Sequence, residues 1–159
     1  MRLRSIIRTG LVALLAMMGI WTAGTASAAP ATASVGVHIA GKTHLDTVIS
    51  PTVLQDVGTV KGSPIGSGDI TLVYTLSPPT GIAKTTFTIT NANGTVTGNC
   101  VSRYSVTRLH ITFTGAGQIT GGTGSYAGIK GKMLQFAAIH SITGKKEAVS
   151  LRGRATKPA

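Results

Sequence analysis

The chain has 159 residues, of which fifteen are Lys or Arg and only four are Asp or Glu, for a formal net charge of +11. Charged residues make up 12% and hydrophobic ones 42%, and 21 residues are glycine. The hydrophobic share argues against disorder, the absence of a Gly period or heptads excludes collagen and coiled coils, and the length suits one domain.

Arg2, Arg4 and Arg8 precede an uncharged apolar run from Gly10 to Trp21, and small residues follow, ending Ala26-Ser27-Ala28-Ala29-Pro30. This is the order of a secretory signal peptide, with cleavage placed after Ala28 because a cut one residue later would leave Pro30 at the new N-terminus. The run is shorter than the ~20 residues a spanning helix needs. Arg2-Leu3-Arg4 is not a twin-arginine pair, and no Cys stands near the cut. The expectation is a secreted, extracytoplasmic protein of bacterial style. It has a signal peptide over 1–28 and a single domain over 29–159, without a transmembrane segment. Loss of 1–28 removes three Arg and the sole Trp and leaves a charge of +8.

Beyond the leader no stretch shows helical periodicity with caps. Ala33–Ile39 and Thr43–Ser50 suggest one or two strands. Pro51–Asp69, with Pro64, Gly66 and Gly68, reads as a long irregular connection holding at most a short strand near Val57–Lys61. Alternation then becomes regular. Ile70, Leu72, Tyr74 and Leu76 share a face, as do Thr85, Phe87 and Ile89 in Lys84–Thr90. Ser77-Pro78-Pro79-Thr80-Gly81 breaks the chain between them, and Asn93-Gly94 is a hairpin signal because both residues tolerate positive φ. Ser105–Thr114 predicts a strand with Leu109, Ile111 and Phe113 on one face and Arg108 and His110 on the other. Leu134, Phe136 and Ala138 line one face of Lys132–His140, with His140 at its end. Thr143-Gly144-Lys145 marks a hairpin tip before Val149 and Leu151. Seven to nine short strands with frequent turns predict an all-β sandwich or barrel.

Gly115–Gly131 (GAGQITGGTGSYAGIKG) contains a formal match to the dinucleotide fingerprint, Gly122-Thr123-Gly124-Ser125-Tyr126-Ala127. That match needs a following helix, and Gly128 and Gly131 oppose one. A structural role fits better. Gly121, Gly122 and Gly124 suit a tight turn, and Gly128 and Gly131 suit close backbone approach where a small barrel bends. Ile119–Gly131 resembles the Gly-Gly-Thr-Gly-x-aromatic signature of the allene oxide cyclase and dirigent barrel superfamily, closest to its secreted bacterial members. The Thr-rich hairpin Thr86–Gly98 before it is also similar. The resemblance covers roughly 82–153. It implies a small antiparallel barrel of about eight strands, often trimeric, with an apolar cavity, and in plant relatives the guidance of cyclisation or radical coupling. The motif residues Gly121, Gly122, Thr123, Gly124, Tyr126, Gly128 and Gly131 are scaffold. The acids Asp46, Asp56, Asp69 and Glu147 lie outside the motif, so no catalytic carboxylate carries over.

Arg108 and His110, two apart on one strand face, either orient a ligand inside the barrel or are solvated on its outside. Tyr74 and Tyr104 are further candidates for presenting a hydroxyl to a ligand, while Tyr126 is expected to plug the barrel against the neighbouring glycines. His38, His44 and His140 lack metal-ligand spacing, so no metal and no cofactor is expected. Cys100, the sole cysteine, reads as a small buried apolar residue. Few aromatics argue against nucleic-acid binding. The cations Lys130, Lys132, Lys145, Lys146, Arg152, Arg154 and Lys157 either keep the protein soluble or attract anionic envelope polymers or lipid surfaces. Three functions therefore stand: a carrier of a small apolar ligand, a cofactor-free cyclase or isomerase, and a basic envelope-binding protein. A homo-oligomer fits each.

Overall fold

Thr, Val and Ile dominate the alternating segments, and β-branched side chains sit well on a pleated surface. The computed structural model describes residues 31–158 and folds them into eight strands: β1 (Thr32–Ser50), β2 (Val53–Ser63), β3 (Gly66–Ser77), β4 (Ile82–Asn91), β5 (Gly94–Val106), β6 (His110–Gly122), β7 (Lys130–Ser141) and β8 (Glu147–Pro158). Each pairs antiparallel with the next, and β8 returns to β1 to close the barrel. The expected signal peptide lies outside the described residues.

Closure removes the sheet edges and gives every strand one inner and one outer face. Ile70, Leu72, Phe87, Phe113, Leu134, Phe136 and Leu151 are fully buried on the inner faces. Outer positions carry Thr, Lys, Arg and Gln. This is the reverse of a barrel that spans a bilayer, whose apolar band faces outward. No helix of the described residues is long and apolar enough to cross a membrane.

The barrel has two unlike ends. The terminal end carries Thr32, Pro158 and the turns β2–β3, β4–β5 and β6–β7. The loop end carries the turns β1–β2, β3–β4, β5–β6 and β7–β8.

The structure corrects several sequence expectations. The choice between one and two early strands resolves as one continuous β1, since Gly41 stays paired with Val60 and Val149 on its two sides. Pro51–Asp69 is not a long connection. It is all of β2 and the start of β3, and Pro64 and Ile65 form the tight turn between them. Pro64 at the turn and Gly66 and Gly68 at the start of β3 disguised it. A Cβ at Gly58 would run into the backbone of Lys42 and Thr43, so β1 and β2 approach there as only glycine permits.

The strand expected over Ser105–Thr114 is broken at Thr107. Its hydroxyl accepts from His110 N (3.1 Å), and its backbone N–H donates to His110 O (2.8 Å). This local hydroxyl turn replaces the ladder, so Leu109 sits on a turn at 55% exposure rather than in the core. In the β4–β5 hairpin Asn91 pairs with Gly94, so Ala92 and Asn93 are the central residues and Gly94 alone takes positive φ (135°).

Candidate functional site

The inner face is apolar except near the loop end. There β1, β2, β4, β5 and β7 place Thr43, Asp56, Thr85, Ser102 and His140 inward, all buried. They occupy the same alternating positions as core residues. Asp56 lies between Leu54 and Val60 on the inner face of β2, and His140 follows Leu134, Phe136 and Ala138 on β7.

Closure brings Asp56 and His140 together from 84 residues apart. His140 Nδ1 lies 2.7 Å from Asp56 Oδ1, and both side chains are 1% exposed. With the carboxylate ionised, Nδ1–H donates to it and Nε2 is left as the proton-accepting nitrogen. Tyr74 lies edge-on to this imidazole, with ring centroids 6.1 Å apart, and stacks on Phe113 at 4.3 Å. Phe113 in turn meets Tyr104, half-buried at the rim, at 6.2 Å. An aromatic file therefore runs from the loop end to the Asp56–His140 pair.

The electrostatics follow from burial. Desolvation, reinforced by the Asp56 carboxylate and by Cys100, pushes the Tyr74 hydroxyl well above its ordinary range, so at neutral pH it is a protonated donor. Burial likewise pushes the Cys100 thiol up to about 12. Cys100 is therefore a thiol rather than a thiolate nucleophile at neutral pH.

Hydrogen bonding around this cluster is incomplete. Thr43 Oγ1, Asp56 Oδ2, Tyr74 OH, Thr85 Oγ1 and Ser102 Oγ are buried and have no partner among the described residues. Thr85 is directly opposite both Tyr74 and Cys100, and Ser102 is two residues beyond Cys100 on the same face. Such groups are normally satisfied, and each one left bare costs about 1–3 kcal/mol.

Of the sequence candidates, Tyr74 and Tyr104 meet across Phe113. Arg108 and His110 do not share a strand face. Arg108 is exposed on the β5–β6 turn, whereas His110 opens β6, its Nδ1 3.8 Å from Glu147 Oε1. Neither reaches the Asp56–His140 pair. Asp56 and His140 were missed as a site because no spacing along the chain links them. The available signal was an acid at an inner position of an apolar alternation.

The glycine motif lies at the terminal end, away from this cluster. Gly124 and Gly128 carry positive φ (57° and 75°) around a 3-10 turn, Gly124–Tyr126, which drops Tyr126 into the barrel end. The Tyr126 hydroxyl donates to Ile65 O (3.0 Å) and accepts from Asn91 Nδ2 (2.9 Å). A side chain on Gly122 would strike Tyr126 and Thr95, and one on Gly131 would press on β8, whereas Gly121 has more room. Thr123 Oγ1 accepts from Thr95 N (3.0 Å), tying the motif to β5.

On the outside, a groove of about 1040 Å³ crosses β1, β2 and β3, lined by Lys42, Lys61, Lys146, His44 and Asp69 among others. No Lys or Arg of the described residues lies within 4.0 Å of a carboxylate, and none is buried. No cluster of three or more His, Cys, Asp or Glu among the described residues could hold a metal ion.

Neither a protein-family model nor a curated protein matches the sequence. Among solved structures the chain is similar to a pyocyanin demethylase, at 16% identity and a TM-score of 0.34, over 75% of this chain and 98% of that one. At that distance both fold and chemistry rest on the geometry described above.

Proposed function

We propose that the barrel binds a small, mostly apolar molecule whose one polar group is received at the loop end by Asp56, His140, Tyr74 and the neighbouring hydroxyls. The observation that carries this reading is the set of unpartnered, buried polar atoms on the inner face of that end. An apolar wall with a few convergent polar groups is the usual composition of a small-molecule site.

The site also selects by charge. Every Lys and Arg of the described residues is outside the core, and the one inner charge is Asp56. An anionic head group would meet that carboxylate with no Lys or Arg beside it. The ligand class is therefore a neutral ketone, alcohol or phenol rather than a fatty acid, and Arg108 plays no part in orienting it.

A second reading rests on the Asp56–His140 pair itself. Nε2 as general base and the Tyr74 hydroxyl as donor would suit a cofactor-free cyclisation or isomerisation of the same ligand. The resemblance to the allene oxide cyclase and dirigent superfamily, and export by the N-terminal leader, belong to this proposal as expectations from the sequence.

The test compares a medium-chain methyl ketone with the carboxylate of equal length by calorimetry. The ketone is expected to bind at least about tenfold tighter, since no Lys or Arg at this end of the interior receives a carboxylate. Equal binding, or binding of neither, would sink the reading.

A further inference from the structure

Seven large hydrophobic residues are exposed among the described residues, and five of them stand at the loop end. Val48 and Ile49 (57% and 56% exposed) lie beside the β1–β2 turn, Val106 and Leu109 (63% and 55%) flank the β5–β6 turn, and Ile142 (48%) opens the β7–β8 turn. The other two, Val101 and Met133, lie away from these turns, on β5 and β7. A scattered apolar side chain needs no explanation, but five on the tips of one end do.

The tips are held in place rather than loosely strung. Ile142 N donates to Leu109 O (3.1 Å), so the β5–β6 and β7–β8 turns abut. The β1–β2 hairpin extends past the end of β8, because the pairing of β1 with β8 stops at Thr43 opposite Glu147. A register shift between Val48 and Ser50 leaves Ile49 without a partner on β2.

Cations are interleaved with these tips. Arg108 lies between Val106 and Leu109, and Lys145 and Lys146 follow Ile142, all three exposed. Apart from the buried Asp56, the acids at this end are Asp46, which accepts from Gln55 Nε2 (2.9 Å), and Glu147, which lies against His110.

We infer that the loop end docks on an anionic lipid surface, with the aliphatic tips in the interfacial layer and Arg108, Lys145 and Lys146 facing the head groups. Apolar tips ringed by Lys and Arg are what such a layer receives. Charge decides against a second copy of the chain as the occupant. A two-fold contact through this end would gather six cations from the two copies into one interface, an excess of positive charge over Asp46 and Glu147. The surface does not depend on the interior ligand, although it would place the aromatic file from Tyr104 next to the lipid.

The experiment is vesicle flotation with a chain begun at Ala29, which keeps every strand of the barrel and omits the apolar leader that could bind lipid itself. Vesicles are phosphatidylcholine alone or mixed with phosphatidylglycerol. Binding is expected only to the mixture, weakening with salt. Ile49→Ser with Leu109→Ser should reduce it about tenfold or more, from the loss of two buried aliphatic side chains. Arg108→Gln, Lys145→Gln or Lys146→Gln should each reduce it about fivefold. All of these side chains are exposed, so circular dichroism and Tm should not move. Absence of binding to the mixed vesicles, or unchanged binding by the aliphatic variant, overturns the inference. So does native mass spectrometry showing a dimer that the aliphatic substitutions break, because the occupant would then be a second copy.

Discussion

At the terminal end of the barrel Tyr126 is buried and its hydroxyl both donates and accepts, to Ile65 and from Asn91. At the loop end Tyr74 lies still deeper and its hydroxyl has no partner. Tyr74 is turned inward by the alternation of β3 and Tyr126 by the 3-10 turn after β6, yet one completes a plug and the other has a hydroxyl without a partner. Buried polarity is therefore hydrogen-bonded within the barrel at one end and left without partners at the other. The surfaces differ in the same sense. The terminal end is tied by the glycine motif, while the loop end exposes aliphatic tips above its polar interior.

The largest test of that contrast is His140→Ala. It leaves the Asp56 carboxylate buried without its partner, and chemical denaturation should show a loss of about 3–5 kcal/mol. Asp56→Asn with His140 kept should cost clearly less, because no bare charge remains. If His140→Ala were neutral, the pair would not be the organising contact of this end.

Tyrosine truncation compares the ends directly. Tyr126→Phe removes a hydroxyl with two partners and should cost about 1–2 kcal/mol. Tyr74→Phe removes a hydroxyl with none and should be neutral or slightly stabilising in the free protein, while weakening ligand. Equal losses in Tm for the two variants would erase the distinction. Ser102→Ala should follow Tyr74→Phe, gaining up to about 1 kcal/mol by removing an unsatisfied hydroxyl.

The smallest effect near neutral pH comes from titration. The folded chain keeps the Cys100 proton up to about 12, whereas the unfolded thiol releases it near 9.0. Between those values the unfolded state binds fewer protons, so stability falls as pH rises, and below 9.0 this contribution is constant. Tyr74, also raised, adds to the same alkaline loss. Urea titrations at pH 8 and about pH 10 should show the decline, and Cys100→Ala should flatten its first part. A thiol reagent at pH 8 should label Cys100 only on unfolding.

Much of the fold was legible because alternation and turn chemistry are local. Phe87 and Ile89, or Leu134 and Phe136, could face only the core, and Pro78-Pro79 could only break a strand. Errors arose where a local device masked the pattern. Pro64, Gly66 and Gly68 around the β2–β3 turn made two strands resemble a loop, and the Thr107 hydroxyl inserted a turn into an apparent run. The candidate site was half legible. Tyr74 and Tyr104 stood out as tyrosines able to present a hydroxyl, and the structure sets them on either side of Phe113. Asp56 and His140 did not, since an acid in an apparent loop and a lone histidine carry no mutual spacing.

The sequence by itself determined that the chain is all-β, where most strands turn, and which side chains share a face in β3, β4 and β7, because a period of two follows from backbone geometry. Only the tertiary structure decided which inward polar groups meet. Closing eight strands brings β2 across from β7 and sets His140 on Asp56. It also gathers four turns at one end and sets the β5–β6 turn against the β7–β8 turn, so that Leu109 and Ile142 meet although 33 residues apart. Neither result is a property of any segment, because closure and register place residues that chain distance keeps apart.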